Sequence, residues 1–252
     1  MPSVVIDKRF CGPPSSANGG YACGIVAGAI DGAAEVTLRA PPPLDQPLEL
    51  TQGADGTAEL REGTTVVATA QSVHVRATDI PAVTFDEAEE AARRSPHSDE
   101  QTHKLPTCFV CGPAREAGDG LRIFVGPLAG GSGRPAGALA GPWVPFPDLA
   151  DADGRVAAEF VWAALDCPSG FAGLAASLGT TGDEAILLGR MSAHIFERPH
   201  PGERCVLTSW PTRRDGRKLF ANSALLGPSG QVLAVAEATW LIVERQVQLG
   251  KR

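Results

Sequence analysis

Apolar and polar positions alternate through Val36–Arg39, Leu48–Leu50, Thr57–Arg61 and Thr64–Val73, with Pro or Gly breaking the runs. Period-two alternation rich in β-branched residues predicts four strands, and Asp55-Gly56 and Glu62-Gly63 supply the turns between them. Ahead of these strands, Gly20–Ile30 is small and apolar on every side. A stretch with no polar face predicts a buried helix, and Gly24 and Gly28 would let a sheet approach it closely. Val4–Phe10 precedes the helix as a short leader.

The same order returns later in the chain. Cys167–Leu178 reads as a helix, and Leu187–Glu197, Cys205–Trp210, Lys218–Leu225 and Val232–Val243 read as strands. Asp215-Gly216 and Ser229-Gly230 mark hairpin turns. Gly20-Tyr21-Ala22 lines up with Gly170-Phe171-Ala172, and the Pro-rich break Pro41–Pro43 with Arg198–Pro201, so a diverged internal repeat is expected. The second copy has a longer leader of predicted strands, Leu121–Val125, Ala138–Val144 and Arg155–Leu165, interrupted by the loop Gly126–Gly137. Between the copies, Thr84 and Glu87 form a capping-box signature ahead of a short helix over Phe85–Arg94. The expected organisation is residues 1–78 as one unit, 79–106 as a linker with that helix, and 107–252 as the second unit.

Composition narrows the functional classes. Lys and Arg number 22 against 29 Asp and Glu, for a formal net charge of −7, which argues against a phosphate-driven nucleic-acid partner. Hydrophobic residues make up 43% and charged residues 20%, as in a chain with a packed core. The start of the chain has no signal-like apolar segment and no stretch is long enough to span a bilayer, so a cytoplasmic protein with six reduced cysteines is expected. No Walker-type or dinucleotide-binding loop occurs, and no cofactor is expected.

A Gly-rich turn, a buried helix and a meander of antiparallel strands, present twice, resemble a double hot-dog protein of the thioesterase-like superfamily. The carrying residues are Asn18-Gly19-Gly20-Tyr21 and Leu165-Asp166-Cys167-Pro168-Ser169-Gly170-Phe171-Ala172. The resemblance implies an α+β fold in which two antiparallel sheets each wrap a central helix and pair as a pseudo-dimer within one chain. It also implies an acyl-CoA or other acyl-thioester ligand bound where the units meet, with a homodimer of such chains as a further partner. Hydrolysis of that thioester is one implied activity, and non-catalytic acyl-thioester or lipid binding is the other.

Under this resemblance the candidate catalytic residues are Asp166 and Asn18. A carboxylate at Asp166 can activate water or attack the thioester, and a favoured capping residue just before Cys167-Pro168 also reads as a helix N-cap. Asn18 orients water or a carbonyl, or caps its own helix. Gly19 and Gly20, or Ser169 and Gly170, would present helix-start N–H groups to an oxyanion, while Phe171 and Trp162 would line an acyl groove. Trp143 would extend that groove and the loop Gly126–Gly137 would cover it. The second copy is the expected seat of the chemistry.

Cys108-Phe-Val-Cys111-Gly112 is half of a zinc-ribbon pattern. Its second half is missing from the sequence: Cys167 and Cys205 stand alone, and His97 and His103 lie in the polar linker. Buried apolar thiols are the default reading, and no metal is expected.

Overall fold

The computed structural model describes residues 3–76, 78–131, 133–176 and 184–249. After β1 (Ser3–Val5), the first half builds α1 (Gly19–Ala27), β2 (Ala34–Leu38), β3 (Pro47–Gln52), β4 (Ala58–Glu62) and β5 (Thr65–Ser72). The connecting segment carries α2 (Phe85–Ala92). The second half builds β6 (Gly126–Pro127), β7 (Leu139–Trp143), α3 (Ala158–Ala176), β8 (Glu184–Ile195), β9 (Cys205–Asp215), β10 (Lys218–Leu226) and β11 (Val232–Glu244), and ends in the turn of helix α4 (Arg245–Gln248).

The strands form one continuous antiparallel sheet in the order β1-β3-β4-β5-β2-β8-β11-β10-β9-β7-β6. Reading outward from the centre, β2, β5, β4, β3 and β1 on one side match β8, β11, β10, β9 and β7 on the other. The helix-then-meander repeat is therefore laid out about a pseudo-two-fold between β2 and β8. Those two strands pair through Ala34↔Ala193 and Val36↔Met191, which joins into one sheet what the sequence pattern suggested as two.

α1 and α3 lie on one face of this sheet, α1 against β2, β4, β5 and β8 and α3 against β7 to β11. α2 packs on the opposite face, burying Ala88 and Ala91 against Ala140, Val206 and Trp210. Because both faces are covered, Cys205–Trp210 is buried at every position, and this stretch lacks the alternation of a half-exposed strand. The predicted capping box is present: Thr84 Oγ1 accepts the Glu87 N–H, and the Glu87 carboxylate accepts the Thr84 N–H.

Two expectations are corrected. Arg155–Leu165 is no strand: α3 begins at Ala158, and the predicted end of that helix at Leu178 lies outside the described residues. Phe160 to Leu165 is apolar without interruption, a run that reads equally as buried strand or buried helix, and here α1 and the sheet bury it on all sides. Pro168 sits inside α3. It removes one helix N–H, and hydroxyls meet the neighbouring carbonyls: Ser223 Oγ donates to Leu165 O at 2.8 Å and Ser169 Oγ to Asp166 O at 2.7 Å. The segment Leu121–Val125 is likewise outside any strand. No helix among the described residues is long and apolar enough to cross a membrane.

α1 and α3 touch through glycines. A Cβ on Gly20 would stand 2.4 Å from Asp166 Cβ and 2.7 Å from Trp162 O, and one on Gly24 would stand 2.5 Å from Glu159 Cα. Gly24 thus admits a helix rather than a sheet. Ordinary helix propensity favours Ala over Gly by about 1 kcal/mol, yet the backbone of α3 cannot yield to the added methyl. Gly24→Ala is expected to destabilise the protein by about 1 to 3 kcal/mol in urea unfolding; a variant as stable as the parent would show that the helices can separate without loss.

Candidate active site

The N-terminus of α1 points at the middle of α3. Asn18 is the N-cap of α1, its side-chain oxygen accepting the Tyr21 N–H at 2.9 Å. Its Nδ2 donates to Asp166 Oδ2 at 2.7 Å and lies 3.8 Å from Cys167 Sγ. Of the roles read from the sequence the cap is seen, and the rest of the amide is turned to Asp166. Asp166 is buried, and its other oxygen, Oδ1, has no hydrogen-bond partner. Burial pushes the Asp166 carboxyl up to about 7, while the Gly20 backbone and the Asn18 side chain pull the other way.

Asp166 lies in the ninth position of α3, well inside the helix, so it is not an N-cap. The N–H groups of Ser169 and Gly170 are likewise interior and belong to the helix ladder, which removes them as an oxyanion hole. Ser169 is a structural hydroxyl: it also accepts the Trp240 Nε1–H at 2.9 Å. Gly170 makes room for that indole, since a Cβ there would lie 2.9 Å from Trp240 Cζ2.

The Asn18–Asp166 pair opens onto a mainly apolar cavity of about 440 Å³. Gly19, Gly170 and Phe171 line it, together with Leu38, Leu187, Leu188, Trp240, His97, His103 and Leu105. Trp162 and Ser169 do not, and neither do Trp143 or any described residue of the loop Gly126–Gly137. Trp162 packs against Gly20 and Gly24, and the loop lies beside α2, where Arg134 pairs with Glu87 at 2.6 Å. The connecting segment, read as a linker, instead forms a wall of the cavity. His97 stacks on Phe171 with ring centroids 3.6 Å apart, and His103 Nδ1 accepts the Leu105 N–H at 3.0 Å.

Sequence reasoning also left Cys167 isolated, and the structure corrects this. Cys108, Cys111 and Cys167 are brought together with all three sulfurs within 4.8 Å of one another, in the wall of the same cavity. Hydrogen bonding from Cys111 and Cys167 and the N–H groups of Val110 and Cys111 holds the Cys108 thiol well below its ordinary value. The spacing Cys108-x-x-Cys111 was visible in the sequence; the third thiol lies 59 residues beyond Cys108, where no local spacing could reveal it.

No family model matches the sequence, and no curated protein does. Solved structures share its fold at low identity. The tesB protein of Mycobacterium avium subs paratuberculosis aligns with a TM-score of 0.59 and 14% identity over 90% of this chain and 87% of its own. Acyl-CoA thioesterase II TesB2 from Mycobacterium marinum aligns with a TM-score of 0.59 and 10% identity over 91% of each chain. The chain has the double hot-dog fold of these thioesterase structures. α1 and α3 lie side by side on one face of the sheet, and the cavity is lined by residues from both halves of the chain.

Burial pushes His97 down to about 4 from an ordinary 6.5. The unfolded chain then takes a proton near pH 6.5 that the folded chain resists until about pH 4, so this residue's contribution is complete above 6.5 and lost as pH falls. Urea unfolding across that window should show stability dropping by up to about 1.4 kcal/mol per pH unit, and His97→Phe, which keeps the ring stack, should flatten the slope. An unchanged slope in that variant would mean His97 is not protected in the fold.

Proposed function

We propose that the chain hydrolyses a fatty or related acyl-CoA thioester in the cavity between α1 and α3, where residues 1–78 and 107–252 pack as a pseudo-dimer of hot-dog units. The observation that carries this reading is the buried Asn18–Asp166 contact, which sets a carboxylate with one unpartnered oxygen beside the N-terminus of a helix at the wall of an apolar cavity. Arg39 and Lys104 also line that cavity and offer positive charge to the phosphates of an anionic ligand.

Asp166 Oδ1 accepts a proton from water, and the resulting hydroxide adds to the thioester carbonyl carbon. The N–H of Gly19, which neither the Asn18 cap nor Asp166 takes up, stabilises the oxyanion with the positive end of the α1 dipole behind it. Collapse of the adduct breaks the carbon–sulfur bond, and the departing thiolate recovers the proton. Asn18 holds the carboxylate in place through Oδ2. The apolar walls formed by Leu188, Phe171 and Trp240 take up the acyl chain.

Thiol release measured over a series from acetyl-CoA to palmitoyl-CoA tests this. Turnover should appear in the wild type, and Asp166→Asn should lower it by about 100-fold or more with little change in melting temperature. Saturable acyl-CoA binding without turnover in the wild type would assign the cavity to acyl-thioester binding alone, and wild-type turnover in Asp166→Asn would remove the carboxylate from the mechanism.

A further inference from the structure

The three-thiol cluster has no role in that hydrolysis, and its surroundings are built more tightly than a chance meeting of buried cysteines requires. Gly112 follows Cys111 directly, and a Cβ there would lie 2.5 Å from both Cys108 O and Pro106 O, so only glycine lets the chain fold back over Cys108. The Gly112 N–H donates to Cys108 O at 2.9 Å, closing the turn. Neighbouring backbone frames it: Phe109 N–H donates to Cys11 O, Leu121 N–H to Phe109 O and Ile123 N–H to Val110 O. Arg122, held at a φ of 51°, reaches Pro113 O at 2.8 Å and also bonds Arg115 O. A left-handed backbone at a bulky residue persists only where the surroundings fix it.

Sulfur spacing decides what this frame suits. Four sulfurs around a tetrahedral ion at about 2.3 Å stand about 3.8 Å apart. The sulfurs of Cys108 and Cys167 are 3.8 Å apart, and Cys111 completes a triangle whose sides are all within 4.8 Å. A disulfide would need a separation of about 2.05 Å, and any two of these thiols joined in that way would pull the triangle apart.

The geometry points to a zinc-type site in which the thiolates of Cys108, Cys111 and Cys167 hold one soft divalent ion, with the fourth position facing the cavity. Binding replaces up to three thiol protons, which pass to solvent, and it ties the turn at Cys108–Gly112 to the middle of α3. His103 is not the fourth ligand in the conformation seen: its Nδ1 accepts from Leu105, which leaves the proton on Nε2. A position left to solvent is the arrangement of a metal that meets ligands rather than one sealed in a closed structural site. This inference stands apart from the proposed hydrolysis.

The test uses the full chain without a histidine tag, prepared under reducing conditions. Elemental analysis after dialysis should find close to one zinc per chain, and cobalt replacing it should give the thiolate charge-transfer and strong visible bands of a tetrahedral site. Cys108→Ser, Cys111→Ser and Cys167→Ser should each abolish these bands, whereas Cys205→Ser, on β9 and outside the three-thiol cluster, should keep them. Absence of stoichiometric zinc together with no cobalt bands in the wild type would overturn the site, whatever the serine variants do. Full metal retention in Cys167→Ser, or a disulfide among these cysteines in the freshly reduced protein, would overturn it as well. Turnover by a metal-free wild type would leave the hydrolysis standing and count against the site only if metal cannot be restored.

Discussion

Two helices approach backbone to backbone only where one of them carries no side chain, and the architecture of this protein depends on such an approach. Gly20 and Gly24, one turn apart on α1, present a smooth strip to Trp162, Asp166 and Glu159 of α3. Dispersion between the helices falls off steeply with any added gap, so this strip fixes how far apart the two halves of the sheet sit. The central pairing of β2 with β8 lies beneath this seam, β2 under α1 and β8 under both helices. An aromatic cluster adds to the seam: Phe10 stacks on Tyr21 at 4.3 Å and meets Phe109 and Phe160, joining the chain start, α1, the cysteine turn and α3.

The same approach creates the polar site. Since α1 is short, its N-terminus ends against the middle of α3, where a buried carboxylate would ordinarily be costly. Asn18 resolves the conflict by dividing its amide: the oxygen satisfies a donor of α1, and the nitrogen satisfies an acceptor of Asp166. The remaining oxygen of Asp166 is left without a partner in the wall of a mainly apolar cavity. His103 Nε2 and Gln248 Oε1, on residues that line the same cavity, are buried without a partner as well, and such unmatched atoms are where a ligand or water can complete the structure.

How much of this was legible depended on whether the signal was local. The strands of both meanders, the cap at Asn18 and the capping box at Thr84 rest on alternation and on short spacings, and each was readable within a few residues. The start of α3 was not, because Phe160 to Leu165 is apolar on every side and its helical state is settled by what surrounds it. That single misplacement turned Asp166 into a cap and offered Ser169 and Gly170 as helix-start donors, which the interior of a helix cannot supply. The meeting of Cys167 with Cys108 and Cys111 was hidden for a different reason: it depends on the register between α3 and the connecting segment, and no sequence spacing encodes that. Asn18 and Asp166 were singled out through resemblance as alternatives in the two copies, and their meeting at one place comes only from the packing of the helices.

Pseudo-symmetry would give two equivalent sites, one at each end of the α1–α3 contact, and the chain has kept them different. At the far end of α1 a second cavity of about 490 Å³ is lined by Gly28, Trp162, Arg155, Glu197 and Arg198. Its charged groups are already matched, Arg155 with Glu197 at 3.2 Å and Arg198 with Asp151 and Asp153, and none is a buried carboxyl without a partner. The cause is the unequal length of the helices. α3 runs 19 residues against 9 for α1; with Glu159 opposite Gly24 and Asp166 opposite Gly20, the second half of α3 extends past the N-terminus of α1, while its start lies beside the end of α1, where Trp162 lines the second cavity. The first cavity receives instead the N-terminus of α1, the interior carboxylate of α3 and the connecting segment with its histidines and cysteine turn. A duplicated fold has in this way concentrated its unmatched polar groups at one end, and the longer helix that breaks the symmetry is also the element that supplies Asp166 and Cys167.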